Sequence, residues 1–189
     1  MKFLPRLCTL LSLIATPLFF SPLVQAEDAP PAVLKITSQL EALGNNATLI
    51  AAVNAQNTEG LSLDTIKQRD ADWRKVAGTD AFMDAMLSSE AGKEMTTFEA
   101  SQPYFIELFL MDNQGANVAM TSKTSDYWQG DEAKWQQSFK DGVGAVHVGD
   151  VEFDESAQAY LVQVSVPVMD GGKAVGAITI GINLDELGE

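Results

Sequence analysis

Apolar residues fall at Val33, Ile36, Leu40, Leu43, Ala47 and Ile50, a three-four spacing that runs on into the polar Asn54 and Asn57. That rhythm predicts a long amphipathic helix with a narrow apolar stripe. Gly60 ends it, and Ser62 or Asp64 caps a second helix in which Leu63, Ile66, Trp73 and Val76 recur at helical spacing. A third helical stretch opens at Thr79 and Asp80 and carries Phe82, Met83, Met86 and Leu87, with Met95 and Phe98 following. Trp73 reads as a core anchor, and methionines at this spacing as packing residues rather than a metal box.

The period changes at Pro103. Residues 104–111 form a bulky apolar run with Glu107 inside it, Asp112 to Gly115 make a turn, and residues 117–122 resume an extended pattern, which together predict a hairpin. Residues 123–144 are polar and aromatic, with one short helix from about Asp131 to Phe139. Three extended segments follow, at 145–153, 160–169 and 174–184, and the last two are joined by Asp170, Gly171, Gly172 and Lys173, a strong tight-turn signal. The expected fold is α+β: helices before about residue 100, then a five-stranded antiparallel sheet with a loop-and-helix crossover between its second and third strands.

Residues 1–26 read differently from all of this. Lys2 and Arg6 precede an uncharged apolar stretch, and Val24, Gln25 and Ala26 place small residues where a signal peptidase reads them. Cleavage after Ala26 is expected, followed by a linker over residues 27–31 and a single domain over residues 32–189. The expected location is the periplasm or the medium. Without Lys2 and Arg6, 10 basic residues face 26 acidic ones, a formal charge of −16. Such a surface repels nucleic acid and anionic lipid. The single cysteine, Cys8, leaves with the peptide, so disulfides, thiol catalysis and thiolate metal sites are excluded. His147 is the one histidine, fewer than zinc sites or histidine relays need. No cofactor or metal is expected.

Three stretches in this order resemble the Cache superfamily, the PDC or PAS-like extracytoplasmic sensor domains of bacterial chemoreceptors and kinases. Phe105 through Gly115 is similar to the family's opening hairpin. The segment containing Ser125, Asp126, Tyr127, Trp128, Lys134 and Trp135 is similar to its ligand-loop crossover, and Val164 through Gly176 to its closing hairpin, where a Pro-containing strand meets a Gly-Gly turn. The resemblance implies a non-catalytic module that binds a small molecule and signals through a membrane receptor or kinase. Because the chain stops at Glu189 without a second span, a free-standing module is expected.

Tyr127, Trp128, Lys134 and Trp135 lie within nine positions, and aromatic walls with one cation suit a small organic anion. Asp126, at the start of this stretch, and His147, on the third strand, complete the candidate ligand-binding set. Paired carboxylates at Asp131 with Glu132 and at Asp154 with Glu155 are adjacent, so they do not converge on one substrate. Amino-acid-sensing members of the resembled family share an arginine two positions before the crossover tryptophan, a tyrosine after it, and an aspartate in the last strand. Here Ala133, Gln136 and Gly181 stand at those positions. The resemblance therefore implies a small carboxylate or a neutral polar molecule rather than an α-amino acid. Two other readings are a small secreted enzyme on this fold and a ligand-free interaction protein that works through its first helix. The stripe over residues 33–57 also suits the seam of a homodimer.

Overall fold

The computed structural model describes residues 30–154 and 158–188. The export segment, Cys8, residues 27–29 of the linker and Glu155 lie outside the described residues. The helices are α1 (Pro31–Leu43), α2 (Ala47–Glu59), α3 (Leu63–Trp73), α4 (Ala81–Ser88), α5 (Glu90–Glu99), α6 (Ala133–Phe139) and α7 (Leu184–Leu187). The strands are β1 (Phe105–Met111), β2 (Asn117–Met120), β3 (His147–Asp154), β4 (Ala159–Asp170) and β5 (Lys173–Asn183). They form one antiparallel sheet in the order β2-β1-β5-β4-β3, so the fold is the expected α+β arrangement with a crossover between β2 and β3.

The long first helix is divided. Asn46 caps α2 by accepting hydrogen bonds from the Thr48 and Leu49 amides, which stops α1 three residues earlier. At the corner the Gly44 carbonyl accepts from the Met169 amide at 3.0 Å. A Cβ on Gly44 would collide with the Pro167 carbonyl oxygen, so glycine lets the corner press against β4. The three-four rhythm survives the break because α1 and α2 lie on the same sheet face. The third stretch divides in the same way, at Ser89, whose hydroxyl accepts from the Gly92 amide to start α5.

Strand alternation sorts the sheet into two faces. One carries Leu108 and Leu110, the valines 162, 164, 166 and 168, and Ile178, Ile180 and Ile182, packed under Val33, Leu40, Leu43, Leu49, Val53 and Met95. This contact buries Val33, Leu40 and Leu43 of the apolar stripe inside the monomer and packs Ile36 and Ile50 against the same core, while Ala47 stays exposed. A Cβ on Gly176 would strike the Met111 carbonyl oxygen and Val53, a measure of how closely α2 approaches. The opposite face is more polar. Across it, Glu107 pairs with Gly181 and Gly181 with Gln163, while Phe109 pairs with Thr179, Thr179 with Ser165, and Ser165 with His147. The Ser165 and Thr179 hydroxyls satisfy each other at 2.8 Å in the buried middle. Helix α6 lies over β3, β4 and β5 on this face. Toward the β1–β2 edge a second core joins Ile66, Trp73, Met83, Met86 and Tyr127 to Phe109 and Met111.

Candidate functional site

The first half of the crossover is bound to α3. Asp70, buried on that helix, accepts hydrogen bonds through Oδ1 from the Tyr127 and Trp128 amides, at 2.9 and 3.2 Å. Its other oxygen meets the Arg74 guanidinium at 2.6 Å, and Arg74 reaches Asp126 at 2.7 Å. The Trp73 indole donates to the Thr124 carbonyl at 2.8 Å. A helix supplying donors, a carboxylate and a cation at successive turns thus fixes a loop that has little regular structure of its own. Asp126 is therefore an ion-pair partner, and Tyr127 is a core residue with its ring 5.6 Å from those of Trp73 and Phe82. Trp128 donates its indole hydrogen to the Gln114 carbonyl at 2.8 Å, with Lys67 4.6 Å above its ring.

The second half of the crossover faces the sheet. Trp135 stacks on Phe139 and donates to the Asp112 carbonyl at 3.0 Å, which ties α6 to the β1–β2 turn. The next face of α6 overhangs a cleft of about 370 Å³ bounded below by β3 and β4. Lys134 lines it from α6, and His147, Asp150, Glu152, Leu161 and Gln163 line it from the sheet. Its floor opens because the β3–β4 register slips between Val148 and Val151, which leaves Gly149 and Asp150 out of the ladder. Lys134 pairs with Glu132 at 2.8 Å, and its ammonium lies 5.4 Å from the Phe109 ring. Gln163 donates to the Glu107 carboxylate at 2.8 Å. Glu107 in turn lies across Gly181, where a Cβ would come within 2.5 Å of its Cγ and 3.1 Å of its Oε1.

A family model described as the first PDC sensor domain of methyl-accepting chemotaxis protein-like sequences matches residues 81–189. The chain belongs to that PDC sensor family. Solved structures resemble it at low identity. The ligand-binding domain of the Pseudomonas aeruginosa PAO1 amino-acid chemoreceptor PctC, in complex with GABA, is 14% identical with a TM-score of 0.38, over 81% of this chain and 62% of that one. The sensory domain of the Campylobacter jejuni chemoreceptor Tlp3 with isoleucine bound is 15% identical, TM-score 0.39, over 82% and 61%. The sensor domain of the V. cholerae histidine kinase DctB is 11% identical, TM-score 0.32, over 81% and 59%. The chain thus spans about three fifths of the length of each. None of the curated proteins matches it.

Within this PDC domain, the six residues singled out in the sequence divide among three environments. Lys134 and His147 share the cleft. Trp135 supports α6 from the side, and Asp126, Tyr127 and Trp128 belong to the clamp on α3. Burial holds the His147 imidazole below its ordinary pKa, with Asp150 opposing, so the ring is neutral at pH 7 and offers one donor and one acceptor. The polar residues that sequence reasoning missed are Gln163, Asp150, Glu152 and Glu107. Glu107 carried a visible signal, a carboxylate inside an otherwise apolar strand. Its position over Gly181 also amends the argument about amino acids: the last strand lacks a carboxylate there, but β1 supplies one beside the same point. Among the described residues no cluster of histidine and carboxylates is arranged to hold a metal ion.

Proposed function

We propose that this PDC domain is a non-catalytic, extracytoplasmic sensor module whose ligand enters the cleft between α6 and the β3–β4 bulge. The observation that carries this reading is the convergence of Lys134, His147 and Gln163, the last steadied from behind by Glu107, on a cleft opened by a register slip. Separate neutral and charged hydrogen-bonding groups around one concavity recognise a small polar molecule. The charge balance selects within the expected class of small carboxylates and neutral polar metabolites. Glu132, Asp150 and Glu152 line the same cleft, and Lys134 is already held by Glu132, so a neutral polar ligand is favoured over a carboxylate.

A thermal-shift screen of neutral polar metabolites, small carboxylates and amino acids, followed by calorimetry, tests the reading. The expected result is a saturable hit that is lost in His147→Ala and Gln163→Ala and kept in Trp128→Ala. A hit that depends on Trp128 and ignores His147 would move the site to the clamp and overturn the assignment.

Signal output through a membrane receptor or kinase partner is part of this reading, on the chemoreceptor setting of the matched family model; among the described residues no helix is long and apolar enough to cross a membrane. Export is proposed on the N-terminal pattern of residues 1–26, and mass spectrometry of the periplasmic fraction should find Glu27 as the first residue. A homodimer through residues 33–57 would have to form on their outer face, where Leu34 is 54% exposed, since Val33, Leu40 and Leu43 of the stripe are buried inside the monomer. Sedimentation showing only monomer at high concentration would remove it.

A further inference from the structure

A second cavity, of about 230 Å³, lies between α3 and α4 and shares no residue with the cleft under α6. Its apolar walls are Trp73, Val76, Phe82 and Met83, and Arg69, Asp72 and Asp80 complete the lining. Phe82 stands at the mouth with 41% of its surface in water, a large aromatic ring that the fold leaves half uncovered. Above that ring, 5.4 Å from its centroid, is the Arg69 guanidinium.

The charges around this cavity are unevenly matched. Arg74 holds Asp70 and Asp126, and Lys75 holds Asp72 at 2.8 Å. Asp80 spends Oδ1 on the Phe82 and Met83 amides as the cap of α4. Among the described residues Arg69 has no carboxylate within ion-pair distance. Behind it lies the Tyr127 hydroxyl, fully enclosed and without a hydrogen bond of good geometry. Arg69 lies near enough to oppose the burial that pushes this phenol up. A guanidinium with no carboxylate counterion, its nearest polar neighbour a buried hydroxyl that it meets without good hydrogen-bond geometry, set beside edge-to-face aromatic walls, is an incomplete arrangement.

We infer that the α3–α4 cavity is a second small-molecule site, separate from the cleft, that takes a flat apolar monoanion such as an aromatic carboxylate. The planar guanidinium matches a carboxylate in a two-point contact, and the ring of the ligand packs on Trp73 and Phe82. Arg69 is the one lining cation, and Asp72, already held by Lys75, and Asp80 offer nothing to a further anion, so a second negative charge finds no partner and dianions are disfavoured. The volume suits a single ring with one substituent. Occupancy here bears on the crossover directly, because Trp73 holds the Thr124 carbonyl and Asp70, the next residue after Arg69, holds the Tyr127 and Trp128 amides.

Benzoate, with benzamide as its neutral counterpart and phthalate as a dianion, provides the probe, read by the indole N–H signals of the folded chain in two-dimensional NMR. Saturable benzoate binding that shifts the Trp73 indole is expected, with benzamide and phthalate at least about tenfold weaker. Arg69→Met should weaken benzoate about tenfold and erase its advantage over benzamide. Arg69→Lys, which keeps the charge and loses the fork, should fall between and serves if the methionine variant does not fold. His147→Ala should leave benzoate binding unchanged. The inference is overturned if benzoate gives no saturable shift, if Arg69→Lys and the native chain bind benzoate and benzamide alike, or if His147→Ala abolishes the effect, which would place the probe in the cleft. Failure of the cleft reading would leave these results standing.

Discussion

Removing Asp70 should loosen the crossover more than any other single polar change, and the cost can be worked from its contacts. The carboxylate accepts two backbone amides, one of them fully buried at Tyr127, and also meets Arg74. Asp70→Ala leaves both amides without a partner. At about 1–3 kcal/mol for each buried donor left unsatisfied, the expected loss is about 3–5 kcal/mol, a large share of a typical domain's total stability. Asp70→Asn keeps an oxygen that can accept both amides and loses only the charge, so about 1–2 kcal/mol is expected. Arg74→Ala should cost far less than Asp70→Ala, because the Arg74 side chain is 54% exposed and solvent screens its ion pairs. Urea unfolding followed by tryptophan fluorescence gives the three values by linear extrapolation. Amide hydrogen exchange at Tyr127 and Trp128 should accelerate in Asp70→Ala before exchange elsewhere in the sheet changes. Arg74→Ala costing as much as Asp70→Ala would refute the reasoning, since the ion pair rather than the amide contacts would then hold the loop.

Other outcomes follow from the packing and from one half-buried acid. Gly176→Ala should destabilise by about 1–3 kcal/mol through overpacking against β1 and α2, and a neutral result in the same urea assay would show that the two can separate freely. Glu99 has a carboxyl raised above its ordinary value, first by burial and then by the Glu107 charge, with a Thr121 hydrogen bond opposing. The native state therefore holds this proton more tightly than the unfolded chain, and stability falls as pH rises from the ordinary carboxyl range through the raised value. Glu99→Gln should lift the thermal midpoint at pH 7 and lose that advantage near pH 4; an equal shift at both pH values would assign the effect to packing instead. Trp73→Ala should cost about 3–5 kcal/mol by cavity formation and release of the Thr124 carbonyl, and a loss under about 1 kcal/mol would show that the α3 junction is not part of the core.

The sequence by itself determined the class of the fold and most of its elements, because both are set by local periodicity. The switch from three-four spacing to alternation at Pro103 marks where the sheet begins, and Gly171 and Gly172, with φ of 56° and 81°, make the turn their dipeptide predicts. Trp73 was legible as a core anchor for the same reason. What local pattern could not show was which side of each element meets which neighbour. The stripe from Val33 to Ile50 reads as one continuous helix because two helices on one sheet face preserve the rhythm across the Asn46 cap. Candidate site residues close in sequence were parted for a related reason. Asp126, Tyr127 and Trp128 fall to α3, drawn there by a carboxylate more than fifty residues earlier, whereas Lys134 falls to the sheet. Lys134, His147 and Gln163 become neighbours only when α6 crosses a sheet whose β3–β4 register has slipped, and Glu107 reaches Gly181 only because β1 lies beside β5. Each of these is a long-range juxtaposition fixed by strand order and helix docking, and residue spacing along the chain holds no record of it.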